Sequence, residues 1–210
     1  MLVANIPYYL IFGPFLSHDI CYNSTKSYHD KDISMLEITF IQLLITFTIT
    51  WIAIRIIAAL RNKCISLKRE LQLLLVYICI AVISRFVYFG YHLIDGRLDT
   101  LKIGLGMISA DDISYTPFYF LFDRYDGWLM NIIGNIAMFI PVGIIWPICF
   151  KKLDNTGKTI LAGAGYTLLI ELSQLFCYGR HTDIDDLILN TAGVAIGAVI
   201  VFAIRKARAK

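Results

Sequence analysis

Five runs nearly free of charge divide this chain, at 36–60, 71–94, 128–150, 159–178 and 187–204, with Lys, Arg, Asp and Glu gathered between them. Each is close to the roughly 17–25 residues a helix needs to cross a hydrocarbon core, the last two near the lower limit. One such run can be the buried helix of a soluble protein. Five in succession use nearly all of the 210 residues and leave no separate soluble domain. Helices are required because an open strand edge would leave backbone groups unpaired in lipid. Composition agrees, with 58% hydrophobic residues, 17% charged and a mean hydropathy of +0.67. The expected fold is all-α: a polytopic membrane helical bundle of about five transmembrane helices within 36–210. Residues 1–35 are expected to form an interfacial or extracytoplasmic segment. "IPYYLIFGPFL" carries Tyr and Phe suited to the headgroup level, a short sixth span being the alternative. Met1 to Leu16 lacks a basic start and contains Pro7 and Pro14, so it does not read as a cleavable signal peptide.

Basic residues set the expected orientation. Arg61, Lys63, Lys68 and Arg69, then Lys151, Lys152 and Lys158, then Arg205, Lys206, Arg208 and Lys210 occupy alternate connections. The positive-inside rule puts all three in the cytoplasm, with the C-terminus inside and the N-terminus outside or interfacial. The net charge of +3 follows from this topology, so no nucleic-acid partner is inferred. Cys21, Cys64, Cys79, Cys149 and Cys177 show no metal-ligand spacing; Cys21 and Cys177 could pair on the oxidising side. With no Gly-rich phosphate loop, HExxH or GxSxG, no cofactor is expected.

The polar residues inside the spans fall at one depth. Asn131 and Asn135 share a face near the outer start of their span, as Glu171 and Gln174 do near the outer end of theirs. Arg85 lies past the middle of an outward run, and Asn190 in an early turn of an inward one. An ionised side chain in hydrocarbon costs at least about 2.5–3.5 kcal/mol, so Arg85 and Glu171 are expected to face each other or share a wet cavity. Arg55, near the cytoplasmic end, is expected to snorkel. Pro141 and Pro147 are expected to break the span that holds them.

The last span carries a stripe with steps of three and four: Asp183, Asp186, Asn190, Gly193 and Gly197. "GVAIG" provides a small-residue face for a close neighbour, and the outer half presents acids. Thr182 with Asp185, or Asp183 with Asp186, could cap this helix, which accounts for one or two of the aspartates but not all. Asn131 and Asn135 read equally as interhelical glue, Glu171 as a structural partner of Arg85, and His181 as a solvated loop residue.

"NIIGNIAMFIPVGIIWP" followed by "ELSQLFCYGRHTDIDDLILNTAGVAIG" resembles the VanZ-like membrane proteins, in Asn135, Phe139, Ile140, Pro141, Gly143, Glu171, Gln174, Arg180, Asp183, Asp185, Asp186, Asn190 and Gly193. "YTPFYF", with Pro117 and Phe118, looks like the family's Pro-Phe element, and the likeness covers roughly 115–200. The resemblance implies a multi-pass protein of a bacterial, Gram-positive cell membrane that lowers susceptibility to teicoplanin-type glycopeptide or lipoglycopeptide antibiotics. Two classes of function follow. In one, an outward-facing polar pocket of Arg85, Asn131, Asn135, Glu171, Gln174, Arg180, Asp183, Asp186 and Asn190 binds a cell-wall precursor, a lipid headgroup or the glycopeptide. In the other, an intramembrane hydrolase or transferase acts on a peptidoglycan precursor or lipid-linked substrate, with Glu171, Asp183 or Asp186 catalytic. Asp183, Asp185 and Asp186 are then speculative ligands for a hard cation. A transporter fits poorly, since no inverted repeat is visible.

Overall fold

The computed structural model describes residues 35–61, 66–89, 93–94, 97–98, 100–104, 113–119 and 128–209. The expected interfacial segment 1–34, Cys21 and Cys64 lie outside the described residues. Among the described residues the helices are α1 Phe40–Arg61, α2 Leu67–Tyr88, α3 Trp128–Cys149, α4 Thr156–Gln174 and α5 Ile184–Arg208. Four of them, α1, α2, α3 and α5, are long and apolar enough to cross a membrane. Helix α4 has 19 residues, about 28 Å at about 1.5 Å per residue. It is less apolar because it buries Thr159, Thr167, Glu171 and Gln174 against its neighbours rather than showing them to lipid. The outward faces are greasy, as a bilayer requires: Ile41, Ile45, Ile49 and Leu60 of α1, Leu161, Leu169 and Leu172 of α4, and Val199 and Ile200 of α5 are exposed.

Helix α5 packs most extensively on α3 and next on α4. Small residues allow this. A Cβ on Gly143 would sit 2.1 Å from Val194 O, and one on Gly197 would sit 2.3 Å from Ile140 O. The small-residue face expected on the last span therefore rests directly on the backbone of α3. Around that seam Ile83 of α2, Phe139 and Val142 of α3, Ile170 of α4 and Val194 of α5 close a single core.

Helix α1 buries no residue. It leans on α2 through the Thr48 and Tyr77 hydroxyls at 2.6 Å and the Trp51 and Tyr77 rings. Arg55, expected to snorkel, reaches the first turn of α2: its Nε donates to Glu70 Oε2 at 2.8 Å and its NH2 to Oε1, the guanidinium fork fitting the carboxylate bidentately.

Helix α3 is continuous through Pro141 and Pro147. Each proline forfeits one backbone donor, while the packing against α5 holds the helix on either side. Two arginines from other helices complete its end. Arg205 NH2 donates to Pro147 O at 2.9 Å, and the Arg69 side chain donates to Cys149 O. Because Pro147 and Cys149 are buried, an unmet carbonyl there is costly. Arg69→Ala and Arg205→Ala are each expected to destabilise by about 1–2 kcal/mol, read as a fall in Tm of the detergent-solubilised protein.

At the opposite end, where α2 and α4 finish and α3 and α5 begin, short strands knit the connections together. They are β1 Leu36–Ile38, β2 Leu93–Ile94, β3 Arg97–Leu98, β4 Leu101–Ile103, β5 Ile113–Ser114 and β6 Thr182–Asp183. Strands β1 and β4 pair antiparallel with Leu36 opposite Ile103; β2 and β3 pair likewise; β5 and β6 are parallel, with Ser114 opposite Asp183. The N–H of Gly104 donates to Phe176 O at 3.0 Å and that of Tyr178 to Lys102 O at 2.8 Å. Beneath this rim Phe89, Leu101 and Cys177 form a second apolar cluster, with Phe40 and Leu43 packed on it. The helical class is unchanged, since among the described residues no strand exceeds three residues.

Candidate functional site: a polar layer at one end of the bundle

Two successive hydrogen-bonding arrangements tie the end of α4 to the start of α5. Asp183 is the N-cap of α5, its carboxylate accepting from the Asp185 N–H at 2.9 Å. The choice between the two expected caps thus falls on Asp183. Its own N–H donates to Glu171 Oε2 at 3.2 Å, while the Thr182 hydroxyl donates to the Glu171 backbone carbonyl at 2.9 Å. Glu171 is only 3% exposed. It sits one turn before the end of α4, so a buried carboxylate faces the entrance of the next helix.

Helix α3 joins from the other side. Asn135 Nδ2 donates to Asp186 Oδ1 at 2.5 Å and to Asn131 Oδ1 at 3.3 Å. Among the described residues, the charged groups acting on Glu171 and Asp186 are further carboxylates, including each other's neighbours Asp183 and Asp185. One turn deeper, Asn190 Nδ2 donates to Thr167 Oγ1 at 2.8 Å. On the rim side of Glu171, Gln174 Nε2 donates to Val87 O at 3.4 Å. Glu171, Asp183, Asp186, Asn131 and Asn135 are thereby brought into one layer, with Asn190 and Gln174 on either side of it.

The arginines are placed differently. Arg85 NH1 donates to Phe89 O at 2.8 Å, and its guanidinium lies 5.6 Å from the Phe40 ring centroid. The pairing expected between Arg85 and Glu171 is not among these contacts. Arg85 is in the last turn of α2, where a cation favours the helix's own terminal carbonyls. Arg180 is half-buried on the turn after α4, its N–H directed at Cys177 O at 3.4 Å. Burial pushes the Cys177 thiol up, with Arg180 pulling the other way. Cys177 is a free thiol, and its suggested partner Cys21 lies outside the described residues. His181 is exposed.

The three aspartates diverge. Asp185, 5% exposed, turns away from Asp186 and accepts the N–H groups of Phe118 at 2.5 Å and Tyr119 at 3.0 Å. Phe118 has φ +61°, the left-handed region that side chains disfavour. The Asp185 carboxylate therefore fills a small backbone nest and fixes the 115–119 turn on α5. Successive helix positions are about 100° apart, and Asp185 and Asp186 meet different partners, the Phe118 and Tyr119 N–H groups and the Asn135 amide. Among the described residues no group of three His, Cys, Asp or Glu is arranged to hold a metal.

Several members of the layer had no sequence signal. The Tyr88 and Ser173 hydroxyls hydrogen-bond to each other, and Ser173 Oγ donates to Ile170 O at 2.6 Å. Tyr88 is close enough to feel the Glu171 charge. A Tyr, a Ser and a Thr in apolar runs read as ordinary span residues; only their helix-end positions could have marked them.

Crossing helices whose buried carboxylates and amides meet at one end define a polytopic membrane protein with an internal polar site. A family model described as VanZ/LLP1 matches residues 71–205. The chain belongs to the VanZ-like family. The match takes in α2 through α5 and every polar-layer residue named above, and leaves α1 outside. No curated protein matches the chain, and no solved structure does.

Proposed function

We propose that the protein is an envelope protein whose polar layer opens outward and binds a cell-envelope ligand, lowering susceptibility to teicoplanin-type glycopeptides. The observation that carries this reading is the Asn135–Asp186 hydrogen bond beside buried Glu171. It gathers α3, α4 and α5 around acids that a membrane protein retains at a cost of about 2.5–3.5 kcal/mol each on insertion scales. The layer lies at the opposite end from Lys68, Arg69, Lys151, Lys152 and Arg205, which the positive-inside rule assigns to the cytoplasm. A bound precursor, headgroup or glycopeptide would be held by carboxylate and amide groups in a low dielectric, with Arg180 at the rim. Captured there, the ligand would no longer present the drug with its target. Asp186→Ala and Arg180→Ala, expressed at wild-type level, are expected to raise susceptibility to teicoplanin at least about fourfold, on the order of 1 kcal/mol of binding. If both leave susceptibility and binding unchanged, the proposal is wrong.

A second reading is favoured by one observation: buried Glu171 and the Asn135-bound Asp186 lie in one layer with the Tyr88–Ser173 hydroxyl pair. Neighbouring carboxylates can divide acid and base roles between them. An intramembrane hydrolase or transferase acting on a lipid-linked peptidoglycan intermediate would use Glu171 to move the proton. Its signature is turnover by the purified protein that Glu171→Gln abolishes without lowering Tm.

A further inference from the structure

The hydrogen-bonding capacity left over in the layer is one-sided, and this identifies the chemistry of what it takes. The amide donors are committed: Gln174 Nε2 to Val87 O, Asn190 Nδ2 to Thr167 Oγ1, and Asn135 Nδ2 to Asp186 and Asn131. The oxygens are not. Gln174 Oε1 and Asn190 Oδ1 are both buried with no hydrogen-bond partner, in residues only 7% and 2% exposed. The Gln174 amide cannot be turned round to relieve this, because its oxygen would then face the Val87 carbonyl.

Gln174 follows Glu171 by one turn on α4, and Asn190 follows Asp186 by one turn on α5. Side chains on a helix tilt toward its N-terminus. Helix α4 starts at the basic end, so Gln174 leans back toward the level of Glu171, one turn below. Helix α5 starts at the acidic end, so Asn190 leans up toward Asp186, one turn above. The two amides bracket the Glu171–Asp186 level from opposite sides. Buried polar groups are rarely left unpaired unless a water or ligand completes them, and the Gln174 atom awaiting a partner, its orientation fixed by the Val87 carbonyl, is an acceptor.

We propose that the layer receives a primary ammonium group, carried by an amine-bearing envelope molecule. An ammonium offers three donors and no acceptor, matching a carboxylate pair flanked by two amide oxygens. A metal ion is the poorer match, since among the described residues no three metal-binding side chains converge. A phosphate or carboxylate would lie against the carboxylates of Glu171 and Asp186. The inference rests on the reading of this end as a binding site and adds the class of ligand.

The test uses the full chain in neutral detergent, with thermal shift as the readout. The probes are phosphatidylethanolamine and glucosamine, their N-acetylated counterparts, and phosphatidylglycerol. At least one free amine is expected to raise Tm, and its N-acetylated form to have no effect; which amine acts distinguishes a lipid headgroup from an amino sugar. Glu171→Gln and Asp186→Asn are expected to weaken that binding about tenfold or more, roughly 1.4 kcal/mol. Gln174→Met removes the unsatisfied oxygen together with the long hydrogen bond to Val87 O, two effects of opposite sign, so it is expected to leave the ligand-free Tm close to wild type while diminishing the amine response. A purely structural glutamine would lower Tm instead. The proposal is overturned if amines and N-acetyl forms act alike, if no amine acts, or if the variants respond as wild type does. Asp186-dependent binding of phosphatidylglycerol would overturn the amine while keeping the site. No probe acting, together with unchanged drug susceptibility in Asp186→Ala, would overturn both.

Discussion

Gly143→Leu is expected to abolish accumulation of the protein in the membrane. A Cβ at this position would lie 2.1 Å from Val194 O and 2.8 Å from Ala198 N, both backbone atoms of α5. Backbone cannot rotate aside as a flexible side chain can, so α3 and α5 must separate. Overpacking a core commonly costs about 1–3 kcal/mol; here the effect should reach at least about 3 kcal/mol, a large share of a total stability of about 5–15 kcal/mol. Separation would also part Asn135 from Asp186, whose hydrogen bond lies on the same pair of helices. Gly165 provides the control, because a Cβ there meets nothing within 4 Å. Gly165→Ala should accumulate as wild type, while Gly143→Ala should already lose yield and Tm, measured by immunoblot of membranes and by unfolding in detergent.

Asp185→Ala is expected to have the second-largest effect, through the turn it holds. Removing the carboxylate leaves the N–H groups of Phe118 and Tyr119 without their acceptor, about 1–3 kcal/mol for each donor left unmet. It also releases Phe118 from φ +61°, a conformation that costs a side chain about 1–2 kcal/mol. The 115–119 turn should therefore leave α5, lowering Tm and raising teicoplanin susceptibility together. Asp185→Asn keeps one acceptor oxygen and should fall between. Adding Phe118→Gly to Asp185→Ala removes the backbone penalty and should recover about 1 kcal/mol. No recovery in the double variant would mean the strained turn is not what Asp185 supports.

The parts of this structure that were legible in the sequence are those that water and lipid dictate locally. Spans are legible because hydrocarbon thickness sets a minimum apolar length. The stripe Asp183, Asp186, Asn190, Gly193 and Gly197 is legible because helix periodicity sorts faces, and the structure lays it along α3 and α4. Depth along a span is legible, and of the residues assigned to one depth Asn135 and Asp186 are hydrogen-bonded. Direction around the helix axis is not: that Arg85 donates to Phe89 O and lies over the Phe40 ring has no signal in the spacing. Asp185 meets a residue 67 positions earlier, a pairing no spacing rule announces. Glu70 as the partner of Arg55 depended on how α1 and α2 lie together. Strands of two or three residues are too short to show alternation.

The account stands on side chains of α3, α4 and α5 converging where the exterior can reach them. In a cysteine-free background carrying Asn135→Cys and Asp186→Cys, a short, membrane-impermeant bifunctional thiol reagent applied to intact cells measures this most directly. Rapid cross-linking that locks α3 to α5, and that is unchanged when the membrane is opened, is the predicted result. Cross-linking seen only after lysis, or two cysteines labelled separately and never joined, would contradict it.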